Sequence, residues 1–168
     1  YAPYESLVCG REMRVCLINP PWFTRKGNVW HRIRCAMPPL GLLYLASTLE
    51  IAKVDVDIFD FQADNLSWEE IEEKIKSQQY EFYGITSTTS IVSNGYRISE
   101  IVKRHHPNSK VIFGGVHTTA LPEEALGKDS IDFVIRGEGE EALLKLVQGV
   151  PFGTIAGLSY RENGKFYR

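Results

Sequence analysis

Short apolar runs alternate along this chain with stretches whose apolar positions recur every three or four residues. Met13 opens Arg14-Val15-Cys16-Leu17-Ile18, which Pro20-Pro21 stops; so short a run reads as a buried strand. Pro38-Pro39 then introduces Leu42, Leu43, Leu45, Ala46 and Leu49, which fit one helical face. Val54 to Phe59 alternates with period two, the pattern of a strand with one polar face, suited to a sheet edge. Ser67 and Glu70 form a capping box for the next helix. Phe82 to Thr86 is a third strand, and Ile98, Ile101, Val102 and His105 mark a helix face that Pro107 ends. His105-His106 reads as a solvated feature of that helix end. Val111-Ile112-Phe113 is a fourth strand, and Pro122-Glu123-Glu124 suits the first turn of a short helix. Ile131 to Ile135 is a fifth strand, followed by a helix carrying Ala142, Leu143, Leu146 and Val147, with Gly149 placed to stop it. Leu158 to Arg161 and Lys165 to Tyr167 flank Asn163-Gly164, the residue pair of a type I′ hairpin turn.

Strands alternating with helices at this spacing imply right-handed βαβ crossovers. The expected fold is therefore α/β, a flavodoxin-like doubly wound five-stranded parallel sheet of order 2-1-3-4-5 with a C-terminal β-hairpin. Residues 1–12 lack periodicity and read as a leader, 13–150 form the Rossmann-like unit, and 151–168 carry the hairpin.

The 168 residues suit one domain, and a net charge of −2 gives no reason to expect nucleic-acid binding. No apolar run approaches the length of a membrane span. The three cysteines, Cys9, Cys16 and Cys35, have neither disulfide arithmetic nor metal-ligand spacing, which fits free thiols in a reducing cytoplasm. Cys16 falls inside the first strand and reads as a small core residue.

Candidate chemistry collects where the strands end, which is where open parallel sheets bind ligands. The clusters are Asn19-Pro20-Pro21, Asp60, Thr86-Ser87-Thr88-Thr89, Gly114-Gly115-Val116-His117 with Thr118, and Arg136-Gly137-Glu138-Gly139-Glu140. Prolines after the first strand offer no N–H groups to a phosphate, which excludes a dinucleotide fingerprint, a P-loop and flavodoxin-style flavin binding. A phosphoryl-accepting receiver would need an aspartate where Thr86 stands. Instead, hydroxyls end the third strand, and Gly114-Gly115 lets a bulky planar group approach the backbone. Gly137-Glu138-Gly139-Glu140 also has a plainer reading, a strand-to-helix turn whose acids complement the helix dipole. Trp22, Phe23 and Trp30, with nearby arginines, make a long aromatic and basic loop that reads as a lid or a contact to another domain.

Thr86-Ser87-Thr88 and Gly114-Gly115 resemble the Ser-x-Leu and Gly-Gly elements of cobalamin-binding domains, Thr88 departing from the usual Leu. With Asn19-Pro20-Pro21, Pro39-Leu40-Gly41-Leu42, Gly114 to Thr119, Arg136 to Glu140 and Gly157-Leu158-Ser159-Tyr160-Arg161, residues 13–168 resemble the N-terminal domain of cobalamin-dependent radical SAM enzymes. The chain departs from that pattern at Lys53, where a helix-ending glycine is common.

The resemblance implies cobalamin as cofactor, held at Asn19, Pro20, Pro21, Thr86, Ser87, Thr88, Thr89, Gly114, Gly115, Val116, His117, Thr118, Gly137, Glu138 and Gly139, its nucleotide tail running between the third and fourth strand ends. It implies no catalytic residue in this domain and no protein ligand to cobalt: the DxHxxG motif is missing, and His31 lacks an Asp two residues before it. The CxxxCxxC triad for a [4Fe–4S] cluster is also missing. Cluster and S-adenosylmethionine would belong to a C-terminal radical SAM domain, a fragment of whose enzyme this chain would be, with methyl transfer as the expected chemistry. The rival readings are a scaffold that has lost cobalamin and a stand-alone cobalamin carrier or sensor.

Overall fold

The computed structural model describes residues 13–22, 38–64 and 66–168. The leader, and the long loop with Phe23, Trp30, His31 and Cys35, lie outside the described residues. The elements run β1 (Arg14–Asn19), α1 (Leu40–Ile51), β2 (Asp55–Asp60), α2 (Phe61–Asp64), α3 (Trp68–Ser77), β3 (Phe82–Thr86), α4 (Val92–His105) and β4 (Lys110–Gly114). They continue with α5 (Val116–Ala120), α6 (Pro122–Leu126), β5 (Phe133–Ile135), α7 (Glu140–Val147), β6 (Leu158–Glu162) and β7 (Lys165–Tyr167). The described strands form one sheet of order β2-β1-β3-β4-β5-β6-β7. β1 to β5 are parallel, and the hairpin extends the same sheet antiparallel beyond β5.

The register fixes which side chains share a face. Val15, Leu17, Phe82, Ile112, Phe133 and Ile135 pack with Leu42, Leu49, Leu143 and Leu146, so α1 and α7 cover one side. Cys16, Ile18, Tyr83, Ile85, Val111, Phe113 and Val134 build the opposite core with Ile71, Ile75, Ile98, Ile101 and Leu126. Full burial of each such side chain is worth about 1.5–3 kcal/mol, so both layers contribute strongly. The buried Cys16 thiol is raised well above its usual pKa, chiefly because burial penalises the thiolate.

Local signals set the element ends. Ser67 accepts from the Glu70 amide at 3.3 Å while the Glu70 carboxylate accepts from the Ser67 amide at 2.8 Å, the capping box of α3. Gly149 has φ 76, with its N–H and that of Val150 on the Leu146 and Lys145 carbonyls, a Schellman stop for α7. At the end of α1 the same two bonds form from Lys53 and Val54 to Glu50 and Leu49, so Lys53 occupies the left-handed position with φ 64. Asn163 and Gly164 take φ 50 and 77, as a type I′ hairpin turn needs.

Two expectations need correction. His106 is not solvated: it is 8% exposed, its Nε2 lies 2.9 Å from the Ile75 carbonyl, and its ring stacks on Tyr83. His105 pairs with Glu72 across α3 and α4 at 2.9 Å. Leu43 does not share the buried face of α1 and is 43% exposed, because the helix turns that position outward. No helix among the described residues is long and apolar enough to cross a membrane.

Candidate functional site

Two glycines on neighbouring strands line a cavity on one face of the sheet. Gly84 in β3 pairs with Leu17 in β1 and Ile112 in β4, and Gly114 pairs with Thr86 one layer nearer the carboxyl ends. All point toward α1 and α7, where a side chain at either glycine would otherwise project. The result is a cavity of about 160 Å³. Leu17, Ile112, Leu143, Leu42, Leu45 and Ile135 supply apolar lining, and Thr86, Gly137, Glu138, Gly139 and Glu140 line it from the carboxyl ends of β3 and β5. Engineered apolar cavities of ~150 Å³ take up benzene, so this volume suits an aromatic ring.

The glycines differ in what they allow. A Cβ at Gly84 would stand 2.8 Å from Leu17 Cδ2, so that position is already filled by a neighbour. At Gly114 the nearest heavy atom to a Cβ is the Ile135 carbonyl oxygen at 3.9 Å, leaving open space. Gly115 has φ 98, and a Cβ there would lie 2.5 Å from the Ser87 carbonyl oxygen. Gly137, φ 74, has nothing within 4 Å of such a Cβ.

The strand-end loops are tied together around this opening. Ser87 donates its N–H and its Oγ–H to the Gly114 carbonyl at 2.8 and 2.9 Å, and the His117 N–H returns to the Ser87 carbonyl at 3.3 Å. Thr119 Oγ1 accepts from the Gly137 N–H at 3.0 Å, linking α5 to the turn after β5. Thr118 Oγ1 donates to the Gly115 carbonyl at 3.4 Å, and Thr88 bonds Ser90 at 3.0 Å. On the other side of the sheet, the buried His117 places Nδ1 3.2 Å from Thr89 Oγ1 and Nε2 3.6 Å from Glu124. Glu124 also accepts from Tyr96, whose hydroxyl is pushed up to about 12 by burial and then by that carboxylate. Asn19 is buried, and its Nδ2 donates to Asp60 at 2.8 Å and Gln62 at 3.1 Å; Asn94 donates to the Pro21 carbonyl at 2.7 Å.

Of the residues singled out in the sequence, the structure brings Thr86, Gly114, Gly115, Gly137, Glu138 and Gly139 together around the cavity. Asn19, Pro20, Pro21, Ser87, Thr88, Thr89, Val116, His117 and Thr118 do not line it. Several of these tie the loops that do, while Val116 stands 70% exposed beside the glycine pair. Trp22 is 50% exposed just after β1. Sequence reasoning missed Gly84, Gly41 and Leu45 as lining residues. A glycine inside a strand pattern is the one signal that could have marked Gly84. Arg136 Nε is buried at the end of β5 with no hydrogen-bond partner. Among the described residues no group of three or more His, Cys, Asp or Glu could hold a metal ion.

Comparison with known proteins supplies a family for this fold. The B12 binding domain family matches residues 30–147. An uncharacterised methyltransferase of Pyrococcus horikoshii is 37% identical over 158 residues, covering 91% of this chain and 34% of that protein. The anaerobic magnesium-protoporphyrin IX monomethyl ester cyclase of Rubrivivax gelatinosus is 30% identical over 146 residues, 84% of this chain and 25% of the cyclase. The chain thus spans between a quarter and about a third of the length of these curated relatives. Among solved structures, the radical S-adenosylmethionine methyltransferase TsrM from Kitasatospora setae, with cobalamin and a [4Fe-4S] cluster bound, superposes with TM-score 0.76 at 19% identity. That match covers 93% of this chain and 28% of TsrM. The cobalamin-dependent S-adenosylmethionine radical enzyme OxsB with aqua-cobalamin bound gives TM-score 0.78 at 20% identity, over 98% of this chain and 22% of OxsB. At these identities both show a shared fold.

Proposed function

This chain belongs to the B12 binding domain family, and we propose from that premise that it binds cobalamin at the carboxyl ends of β1, β3, β4 and β5. The observation that carries the reading is the apolar cavity opening between the ends of β3 and β4, with Gly114 leaving its lip clear. Thr86, Gly114, Gly115, Gly137, Glu138 and Gly139 would hold the nucleotide tail there. The exposed Val116 and Trp22 offer apolar surface for the corrin ring at the same end of the sheet. Asn19, Pro20, Pro21, Ser87, Thr88, Thr89, His117 and Thr118 would act one step back, keeping the loops at fixed spacing.

The residues present fit the group. The cavity has the size class of an aromatic ring, its deep lining is apolar, and the close approach of Gly115 to Ser87 leaves the loops preorganised. His117 is turned to Thr89 and Glu124, which supports a hydrogen-bonding role for it rather than one as a cobalt ligand.

When bound, cobalamin would supply methyl-group carriage between S-adenosylmethionine and substrate. The chain's own residues would bind and orient it. Reaction and cluster would lie in a C-terminal radical SAM domain, a reading supported by the relatives that are three to four times longer.

Titration with hydroxocobalamin followed by gel filtration tests the binding. We expect corrin absorbance to co-elute with the protein and to be lost in Gly114→Leu, whose far-ultraviolet dichroism stays native. Folded wild-type protein that retains no corrin would overturn the reading.

A further inference from the structure

We propose that the cavity selects the base at the end of the cobamide tail, accepting an apolar benzimidazole and disfavouring a purine such as adenine. The inference rests on the reading that the tail enters this cavity, and deepens it by naming the tail chemistry the site takes.

Polar atoms are unevenly placed along the cavity's depth. Leu17, Gly84 and Ile112 lie on one register line across β1, β3 and β4. Thr86 and Gly114 form a register pair two residues further along, about 6.6 Å nearer the carboxyl ends at 3.3 Å per residue. The deeper layer carries no side-chain donor or acceptor, and its backbone groups sit within the parallel β1-β3-β4 ladder. Leu42 and Leu143 close over that layer from α1 and α7, 4% and 2% exposed. The polar side chains lining the cavity are Thr86, Glu138 and Glu140, and all three stand at the carboxyl-end rim.

A base tethered through its ribose enters with its five-membered ring toward the rim and its six-membered ring toward the floor. In 5,6-dimethylbenzimidazole that inner ring is a carbocycle bearing two methyl groups. In adenine it carries two ring nitrogens and an amino group, which would leave water and meet only apolar side chains. A buried polar group without a partner is penalised strongly, whereas a methyl on an apolar floor gains from burial. The expected discrimination is at least about tenfold in dissociation constant, the lower end of what one unpaired group produces.

The test is calorimetric titration of the 168-residue chain with three ligands: hydroxocobalamin, the adeninyl cobamide with the same corrin, and cobinamide, which has no nucleotide base. The expected order is cobalamin tightest, with adeninyl cobamide at least about tenfold weaker and close to cobinamide. Equal affinity for the two complete cobamides, both tighter than cobinamide, would overturn base selection while leaving the tail-binding site intact. Equal affinity for cobinamide and cobalamin would remove the tail from the cavity and overturn both statements. No binding of any corrinoid by folded protein would overturn the functional reading itself.

Discussion

Replacing Gly115 and Gly114 separately by alanine should divide the glycine pair into one residue that serves the backbone and one that serves the cavity. Gly115 lies at φ 98 and ψ −180, a conformation open essentially to glycine, which costs any other residue about 1–3 kcal/mol. An alanine Cβ there would also press on Ser87 backbone atoms, 2.5 Å from its oxygen and 2.9 Å from its nitrogen. Backbone is what must move, and it is held by Ser87 to Gly114 at 2.8 and 2.9 Å and by His117 to Ser87 at 3.3 Å. Losing one or two of those bonds at about 1 kcal/mol each brings the total for Gly115→Ala to roughly 2–5 kcal/mol. At roughly 2–4 °C per kcal/mol for a chain of this size, Tm should fall by about 4–20 °C. Gly114→Ala meets nothing closer than 3.9 Å and needs no left-handed backbone, so stability should be unchanged or raised by about 0.4–1 kcal/mol. Its methyl group should nonetheless weaken cobalamin binding. Thermal denaturation by circular dichroism, with a cobalamin titration below the transition, reads both effects. A Gly115→Ala protein melting within about 2 °C of wild type, or a Gly114→Ala protein losing as much stability as Gly115→Ala, would refute the reasoning.

Lys53→Gly should stabilise the chain by about 1 kcal/mol, because Lys53 holds φ 64 at the Schellman position of α1 and only glycine takes it without strain; unchanged denaturant midpoint would contradict this. The Glu70 carboxyl is held below its usual value of 4.5, first by the Ser67 backbone N–H and then by its hydroxyl. The Glu72 carboxyl is likewise lowered, first by His105. A depressed folded-state value means that their stabilisation is present above about pH 4.5 and is lost as pH falls through it; Glu70→Gln should therefore flatten the acid limb of the stability profile, and an unaltered limb would count against it.

Periodicity and punctuation carried most of this architecture into view. Pro20-Pro21, Ser67 with Glu70, Gly149 and Asn163-Gly164 each act through local backbone chemistry, and each marks the boundary it was read to mark. The order β2-β1-β3-β4-β5 followed from the polar alternation of Asp55 and Asp57, which places that strand at the edge. What stayed hidden depends on contacts between distant segments. His106 looks like any polar residue at a helix end, and only the arrival of Ile75 and Tyr83 buries it. The short helices α2 and α5 have too few residues to show a period. The rim of the cavity was legible because Gly114-Gly115 and Gly137-Glu138-Gly139 sit at strand ends. Its floor was not, because Gly84 joins the lining only once Leu17 and Ile112 flank it and α1 and α7 close over them.

Cobalamin held by this chain would have its nucleotide tail in the cavity, with no histidine of the chain on cobalt. Electron paramagnetic resonance of cob(II)alamin bound to the chain reads this directly, since an axial nitrogen splits the cobalt lines. The expected bound spectrum shows no nitrogen superhyperfine splitting and is unchanged in His117→Ala. A bound spectrum that retains nitrogen splitting, from the tail base or from a histidine, would contradict it.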